Sequence, residues 1–304
     1  MNDVQIARLR NPGGTRRVLG LMVLLLAAIQ IGRPAPVSAC VGARPLGMGG
    51  AFIAVADDAN VPYWNPAALA LIRTRQATVA YVGGDDINYK WFGSYSQPFG
   101  QQFAAAASIF TWNPRIWGFI PGDPEPIEFK YTRPWVSMAM ALPNVTKGEL
   151  AIGANLSFGQ AELTWRNEKE TLDVDPGLDL SAIYRLNEQW SFGLLVQDVN
   201  EPEMKLNGTP VTKWMRNIRP GIAFRPNEQL TLAADIYLFT EEDYIMLGAE
   251  YWINEQVGVR GGMYSIGGTE WPTAGASYRF TPEFSVEGAT LDFEYWVASA
   301  TFAF

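Results

Sequence analysis

The last ten residues of the chain are Tyr295-Trp296-Val297-Ala298-Ser299-Ala300-Thr301-Phe302-Ala303-Phe304. They put Trp296, Ala298, Ala300, Phe302 and Phe304 on one face and Tyr295, Ser299 and Thr301 on the other. Alternation with period two marks a β-strand with one greasy and one mixed face. The same pattern runs upstream almost unbroken to residue 149. Leu230, Leu232, Ala234, Ile236 and Leu238 alternate with Thr231, Ala233, Asp235 and Tyr237. Ile245, Leu247, Ala249, Tyr251 and Ile253 alternate with Met246, Gly248, Glu250 and Trp252, and Leu150, Ile152, Ala154, Leu156 and Phe158 form a further stripe.

Short turns punctuate these strands. Asn187-Glu188-Gln189, Asn227-Glu228-Gln229 and Asn254-Glu255-Gln256 each separate two strands, and Thr281-Pro282-Glu283 holds the same place in the next unit. The last three turns start 27 residues apart. That interval holds two strands of about ten residues, the length of a tilted membrane-spanning strand, with one tight turn and one short loop. Tight turns on one rim and longer loops on the other are the asymmetry of outer-membrane barrels, whose tight turns face the periplasm. Extending the scheme predicts fourteen antiparallel strands, over 75–82, 88–97, 102–112, 135–142, 149–163, 177–186, 190–199, 214–225, 230–239, 244–253, 257–266, 273–280, 284–293 and 295–304. An even count brings both ends of the barrel to the periplasm.

The polar stripe separates this architecture from a β-sandwich. Arg219, Asp235, Glu250, Arg260, Arg279 and Glu287 all fall opposite the aliphatic face. A dry sandwich core would bury them at high cost, whereas a wet lumen does not. Leu232, Ile236, Leu247 and Ile152 are then predicted to face lipid, and Asp235, Glu250 and Arg260 the lumen. Trp135, Trp190, Trp214, Trp252, Trp271 and Trp296 sit near strand ends, where aromatic girdles are expected at the two interfaces. Phe302 and Phe304 end an alternating last strand and resemble the signal read by the barrel-assembly machinery.

Composition agrees. Apolar residues make up 48% of the chain, yet mean hydropathy is −0.02, as expected when every strand is half apolar. The only long apolar run is N-terminal. Arg8, Arg10, Arg16 and Arg17 precede an apolar core over 18–31, and Val37-Ser38-Ala39 supplies a cleavage site, the pattern of a secretory signal over residues 1–39. A transmembrane anchor would need about 20 apolar residues. Val37-Ser38-Ala39-Cys40 also fits a lipoprotein box. Removing 1–39 takes away five arginines and one aspartate and leaves the remainder at −12, a charge with no electrostatic reason to bind nucleic acid. The chain has no histidine and a single cysteine, Cys40. That excludes Ser-His-Asp hydrolases, His-ligated zinc, disulfide frameworks and cysteine metal clusters. No cofactor or enzymatic activity is expected.

Between signal and barrel, residues 40–74 carry Gly42-Ala43-Arg44-Pro45-Leu46-Gly47-Met48-Gly49-Gly50-Ala51-Phe52, then Ala56-Asp57-Asp58-Ala59-Asn60, then Tyr63-Trp64-Asn65-Pro66-Ala67-Ala68-Leu69. Glycine at this density permits tight backbone conformations in a confined space, and Asn65-Pro66 is a turn or helix-start signal. These strings resemble the N-terminal signature of the FadL/PorV-like outer-membrane barrels, with the form R-x-x-G-M-G-G-A-F closest to the PorV/PorQ branch. The resemblance covers about thirty residues. It implies a hatch inside the lumen of a fourteen-strand barrel (residues 75–304), built on Arg44, Gly47, Gly49, Gly50, Phe52, Asp57, Asp58, Asn65 and Pro66. It also implies that Asp57 and Asp58 pair with lumen arginines such as Arg219 or Arg260, the alternative being a solvated turn. Two functions follow from the resemblance. One is passive transport of a hydrophobic or amphipathic small molecule across the bacterial outer membrane. The other is a role like that of PorV in a type IX-like secretion system, delivering secreted proteins to the surface.

The chain length leaves little room for large extracellular loops. One stands out, over 113–134, with Pro114, Pro121, Pro124, Pro126 and Pro134 beside Trp117, Phe119, Ile120 and Phe129. Loops this long are uncommon unless functional or disordered, and apolar content argues against disorder. A lid or docking surface for a hydrophobic ligand or a protein is expected there, with 200–213 as a second such surface. N-terminal sequencing of the mature protein should find Cys40 first. A blocked terminus with added lipid mass would instead identify the lipoprotein box as the processing site.

Overall fold

The computed structural model describes residues 41–84, 90–116, 125–143, 147–238 and 243–304. The expected export signal, Cys40 and the loop residues Trp117, Phe119 and Ile120 lie outside them. The strands are β1 (Gln76–Gly84), β2 (Lys90–Phe99), β3 (Phe103–Trp112), β4 (Arg115–Ile116), β5 (Ile127–Leu142), β6 (Glu149–Ser157), β7 (Gln160–Trp165), β8 (Glu168–Val174) and β9 (Gly177–Arg185). They continue with β10 (Trp190–Gln197), β11 (Glu203–Leu206), β12 (Thr209–Lys213), β13 (Asn217–Phe224), β14 (Leu230–Leu238), β15 (Asp243–Trp252), β16 (Val257–Ile266), β17 (Thr269–Thr281), β18 (Phe284–Leu291) and β19 (Tyr295–Ala303). All but β4, β7, β8, β11 and β12 form a fourteen-strand antiparallel transmembrane barrel. Its closure pairs the first strand with the last, from Gln76↔Ala303 to Gly84↔Tyr295. The seam is finished by Arg75 and Phe304, whose N–H groups donate to each other's carbonyls at 3.2 and 2.9 Å.

Side-chain alternation sorts the faces as expected. Ile152, Leu232, Ile236 and Leu247 are 40–42% exposed, on the outer wall, while Asp235, Glu250 and Arg260 are 1–5% exposed inside. The tryptophans divide differently from a girdle. Trp296 lies outward and exposed, and Trp190 stacks on Phe224 at 4.4 Å. Trp135 is buried on the inner wall and Trp271 packs against the lumenal core. Trp252 lines the periplasmic end of the lumen, and Trp214 packs outside the barrel.

The tight turns are closed by their first residue. Asn187, Asn227 and Asn254 each accept two backbone N–H groups through Oδ1 at 2.8–2.9 Å. This is the side-chain mimic of a turn that favours asparagine here.

The extracellular side carries more structure than the expected loops. Of the segment 113–134, the described residues 113–116 and 125–134 include strand rather than loop alone. β5 extends outward from the barrel, pairing with β4 and then with β7. β8 pairs with β7 and β11, and β12 completes the lobe. The segment 149–163 holds one register against β5, but its ladder is interrupted at Phe158–Gly159. Phe158 N–H donates to Pro134 O at 2.9 Å, and Pro134 has no N–H to return the bond. The lobe has its own core of Ile127, Leu163, Trp165 and Leu172, each about 1% exposed, with Phe129 packed against it. Residues 200–213 form the β11–β12 hairpin of this lobe.

The outer wall generates a stability prediction. Leu247 pairs with Ala234 halfway along β14 and β15. Leu247→Arg should cost about 2–4 kcal/mol, the penalty of an arginine on the lipid face near the midplane, while Gln256→Arg in an exposed turn should be near neutral. Denaturant unfolding of both variants in bilayers measures the difference.

Candidate functional site

Residues 41–72 fill the middle of the lumen. Met48, Phe52, Ile53, Trp64 and Leu69 have no exposed surface. The segment begins with a short helix, α1 (Ala43–Gly47), and includes α2 (Val61–Trp64) and a 3-10 helix over Pro66–Leu71. Asn65 starts the 3-10 helix. Its Oδ1 accepts from Ala67 N–H, and Pro66 takes the first position, where no N–H is needed. The Asn65 amide donates to Ile53 O at 2.8 Å and to Ala182 O of the wall at 3.2 Å. Gly49 has φ +63, and a Cβ there would overlap the backbone of Leu247 and Met263.

The wall answers the plug with small and polar residues. Asp235 Oδ2 accepts the N–H groups of Phe52 and Ile53 at 2.6 and 2.8 Å. Ser299 Oγ accepts Ala43 N–H, Ser181 Oγ accepts Ala67 N–H, and Ser191 Oγ donates to Ala54 O, all at 2.8 Å. Asn155 donates to Pro62 O at 2.8 Å. Between these anchors, strand glycines let the two backbones touch. A Cβ on Gly153, Gly193, Gly248 or Gly262 would overlap plug backbone at Ala67, Ile53, Met48 or Gly49. Reading the alternation for its charges passed over these glycines and serines, whose signal was their recurrence on the inward face.

Arg44 joins plug and wall electrostatically. Its guanidinium pairs with Asp57, with Asp58 at 2.9 Å and with Glu250 of β15 at 2.7 Å. Glu250 in turn receives Arg260 Nε at 2.5 Å, and Glu287 lies 3.7 Å from Arg260. Burial pushes the Asp57 carboxyl up, but the guanidinium of Arg44, and after it that of Arg225, outweigh burial and hold it below its ordinary value. The expected pairing of the two aspartates with Arg219 or Arg260 is thus corrected. Both pair with Arg44 of the plug itself, because α1 carries it to the same level, and Asp57 also meets a wall arginine, Arg225, at 3.7 Å. Arg219 stacks on Tyr237 at 4.0 Å and, among the described residues, forms no carboxylate ion pair within 4 Å. Arg279 stacks on Trp252 at 4.3 Å and donates to Glu255 O.

The wall differs in chemistry on the two sides of the plug. On the extracellular side the inner wall is aromatic. Phe92 stacks on Trp135 at 5.9 Å, and Trp135 reaches Tyr63 of the plug at 6.3 Å. Opposite, Tyr237, Tyr244, Tyr264 and Trp271 run in series at 6.0–6.3 Å. On the periplasmic side lies a polar vestibule of about 720 Å³, with Arg44, Asp57, Asp58 and Glu250 in its lining.

A plugged fourteen-strand transmembrane barrel of this kind has the FadL-type fold. The CymD monoaromatic hydrocarbon channel superposes with a TM-score of 0.67 at 14% identity, over 87% of this chain and 97% of that one. The Pseudomonas putida toluene transporter TodX gives 0.66 at 12% identity, over 87% and 98%. A Pseudomonas aeruginosa FadL homologue gives 0.61 at 12%, over 86% and 98%. No protein-family model and no curated protein matches the sequence.

Two variants test the plug's seating. Gly248→Val should leave a folded, heat-modifiable barrel but dislodge the plug, raising single-channel conductance in planar bilayers and exposing residues 41–72 to protease. Arg44→Met leaves Glu250 with Arg260 alone and takes from Asp57 and Asp58 the guanidinium they share, and should cost about 1.5–3 kcal/mol, the scale of lost hydrogen bonds to a charged group. Adding Glu250→Gln should recover part of that loss, read as coupling in a double-mutant cycle.

Proposed function

We propose that the protein is an outer-membrane channel for passive entry of a small hydrophobic molecule. The observation that carries this is the cluster of aromatic side chains on the inner wall, on the extracellular side of the plug. Tyr63, Phe92, Trp135, Tyr237, Tyr244 and Tyr264 offer ring faces and edges, and Arg219 adds a polar point. Pockets for apolar ligands are built this way, from aromatic walls and a few placed polar groups. The relatives in fold are named for monoaromatic hydrocarbons and toluene, which agrees with such an aromatic wall. The extracellular lobe stands beside the entrance, and Phe129 contributes to its packing.

A second reading draws on the form of the Arg44–Phe52 motif and on the folded lobe, which offers a surface for a protein. In it the barrel hands secreted proteins to the cell surface. Arg44, Gly47, Gly49 and Gly50 already have packing and ion-pair roles in the plug, so the motif needs no further explanation, and the transport reading is preferred.

The assembly signal belongs to the same proposal. Phe302 and Phe304 are exposed at the periplasmic end of the closing strand, available to the barrel-assembly machinery and then to lipid. Vesicles with a lipopolysaccharide outer leaflet should take up a monoaromatic hydrocarbon several-fold faster with the protein than without. Tyr264→Glu should abolish that gain while the barrel remains heat-modifiable. Equal uptake by empty vesicles would sink the proposal, and a secreted protein recovered with the barrel would favour the second reading. Deleting Phe304 should lower outer-membrane levels of the protein, measured by fractionation.

A further inference from the structure

Asp235 and Arg219 are inward-facing neighbours that do not pair. Asp235 of β14 stands opposite Gly221 of β13. Arg219 lies two residues before Gly221 on the same face, about 7 Å along the strand. Both side chains are buried, at 1% and 6% exposure. Among the described residues Asp235 Oδ1 accepts no hydrogen bond, and Arg219 Nε and Nη1 donate none. Buried polar atoms left in this state cost free energy. An aspartate and an arginine at this spacing can reach each other, and pairing would satisfy all three atoms.

The plug holds them apart. Asp235 Oδ2 accepts the N–H groups of Phe52 and Ile53 at 2.6 and 2.8 Å. The carboxylate is drawn into the space that a side chain at Gly221 would fill. A Cβ there would lie 2.2 Å from Asp235 Oδ1 and 2.9 Å from Ile53 Cβ. Arg219 is turned instead onto the ring of Tyr237, 4.0 Å from its centroid. The ladder is open at this level. β13 and β14 pair at Ile218↔Leu238 and again at Gly221↔Asp235, with Pro220, which has no N–H, in the gap.

We propose that Asp235 is a two-position latch for the plug, holding the N–H groups of Phe52 and Ile53 while the plug is seated and turning to Arg219 when it withdraws. The guanidinium then replaces the two donors that the carboxylate loses with the plug. Arg219 therefore lowers the cost of release from both sides: it offers a partner in the released position, and its own donors go unsatisfied in the seated one. The latch rests on the transport reading, which needs a plug that yields. Its test reads release of the plug rather than uptake, so each can fail without the other.

Hydrogen exchange in the peptide spanning Phe52 and Ile53, followed by mass spectrometry on the full mature protein in lipid nanodiscs, reports opening of the latch. Arg219→Met, checked for heat-modifiable mobility, should slow that exchange on the order of tenfold, the scale of a hydrogen bond to a charged group lost from the released position. An arginine with a merely structural role would give the opposite sign, because its loss would loosen the wall and speed exchange. Arg219→Gln should slow exchange too, and serves if the methionine variant does not fold. Asp235→Ala should speed exchange, and in that background Arg219→Met should slow it no further. Unchanged or faster exchange in the Arg219 variants, or the same slowing with Asp235 already replaced, would overturn the latch.

Discussion

An irregular segment buried inside a barrel must find partners for its own N–H and C=O groups, because neither a helix nor a sheet satisfies them for it. That constraint shapes the inner wall of this protein. Asp235 meets the N–H groups of Phe52 and Ile53, Ser299 and Ser181 accept from Ala43 and Ala67, and Ser191 and Asn155 donate to Ala54 and Pro62. The wall can offer these partners only where it also gives room. Glycines 153, 193, 248 and 262 provide it by letting plug backbone lie directly against strand backbone. The plug is thus held by many directional contacts spread around the circumference.

Charge adds a second kind of hold at one side. Arg44 sits between two aspartates of its own segment and Glu250 of the wall, and Arg260 extends the chain of contacts to Glu287. Such buried pairs are weak as stabilisers overall, since desolvation offsets much of the attraction, but they penalise any arrangement that separates them. Here they set the height of α1 relative to β15 and β16. A second network ties wall strands to one another, with Arg133 paired to Asp198 at 2.7 Å and Asp179 accepting from Asn155, and reaches the plug only where Asn155 donates to Pro62 O.

The plug also divides the lumen chemically. Aromatic rings dominate the wall toward the outside, and carboxylates and guanidiniums dominate it toward the periplasm. The extracellular lobe has a core separate from that of the plug.

Much of this was legible in the chain. Period-two alternation in segments such as 230–239 and 244–253 identifies strands, sorts lipid from lumen, and with the repeated turns yields fourteen of them, because pleat geometry is local and the bilayer sets strand length. The start of the 3-10 helix at Asn65-Pro66 was equally readable, since capping depends on neighbouring residues. The partners of Arg44 were not. Asp57 lies thirteen residues away and Glu250 more than two hundred, and only the insertion of the plug into a closed barrel brings the three together. The role of Gly248 and Gly262 was hidden for the same reason, because a glycine in a strand shows its purpose only when another backbone is laid against it. The inward turn of Trp135 and the outward growth of β5 into a lobe likewise depend on which strand neighbours which. Local periodicity determined the barrel; the meeting of residues distant in sequence, which only closure around the plug produces, decided the site.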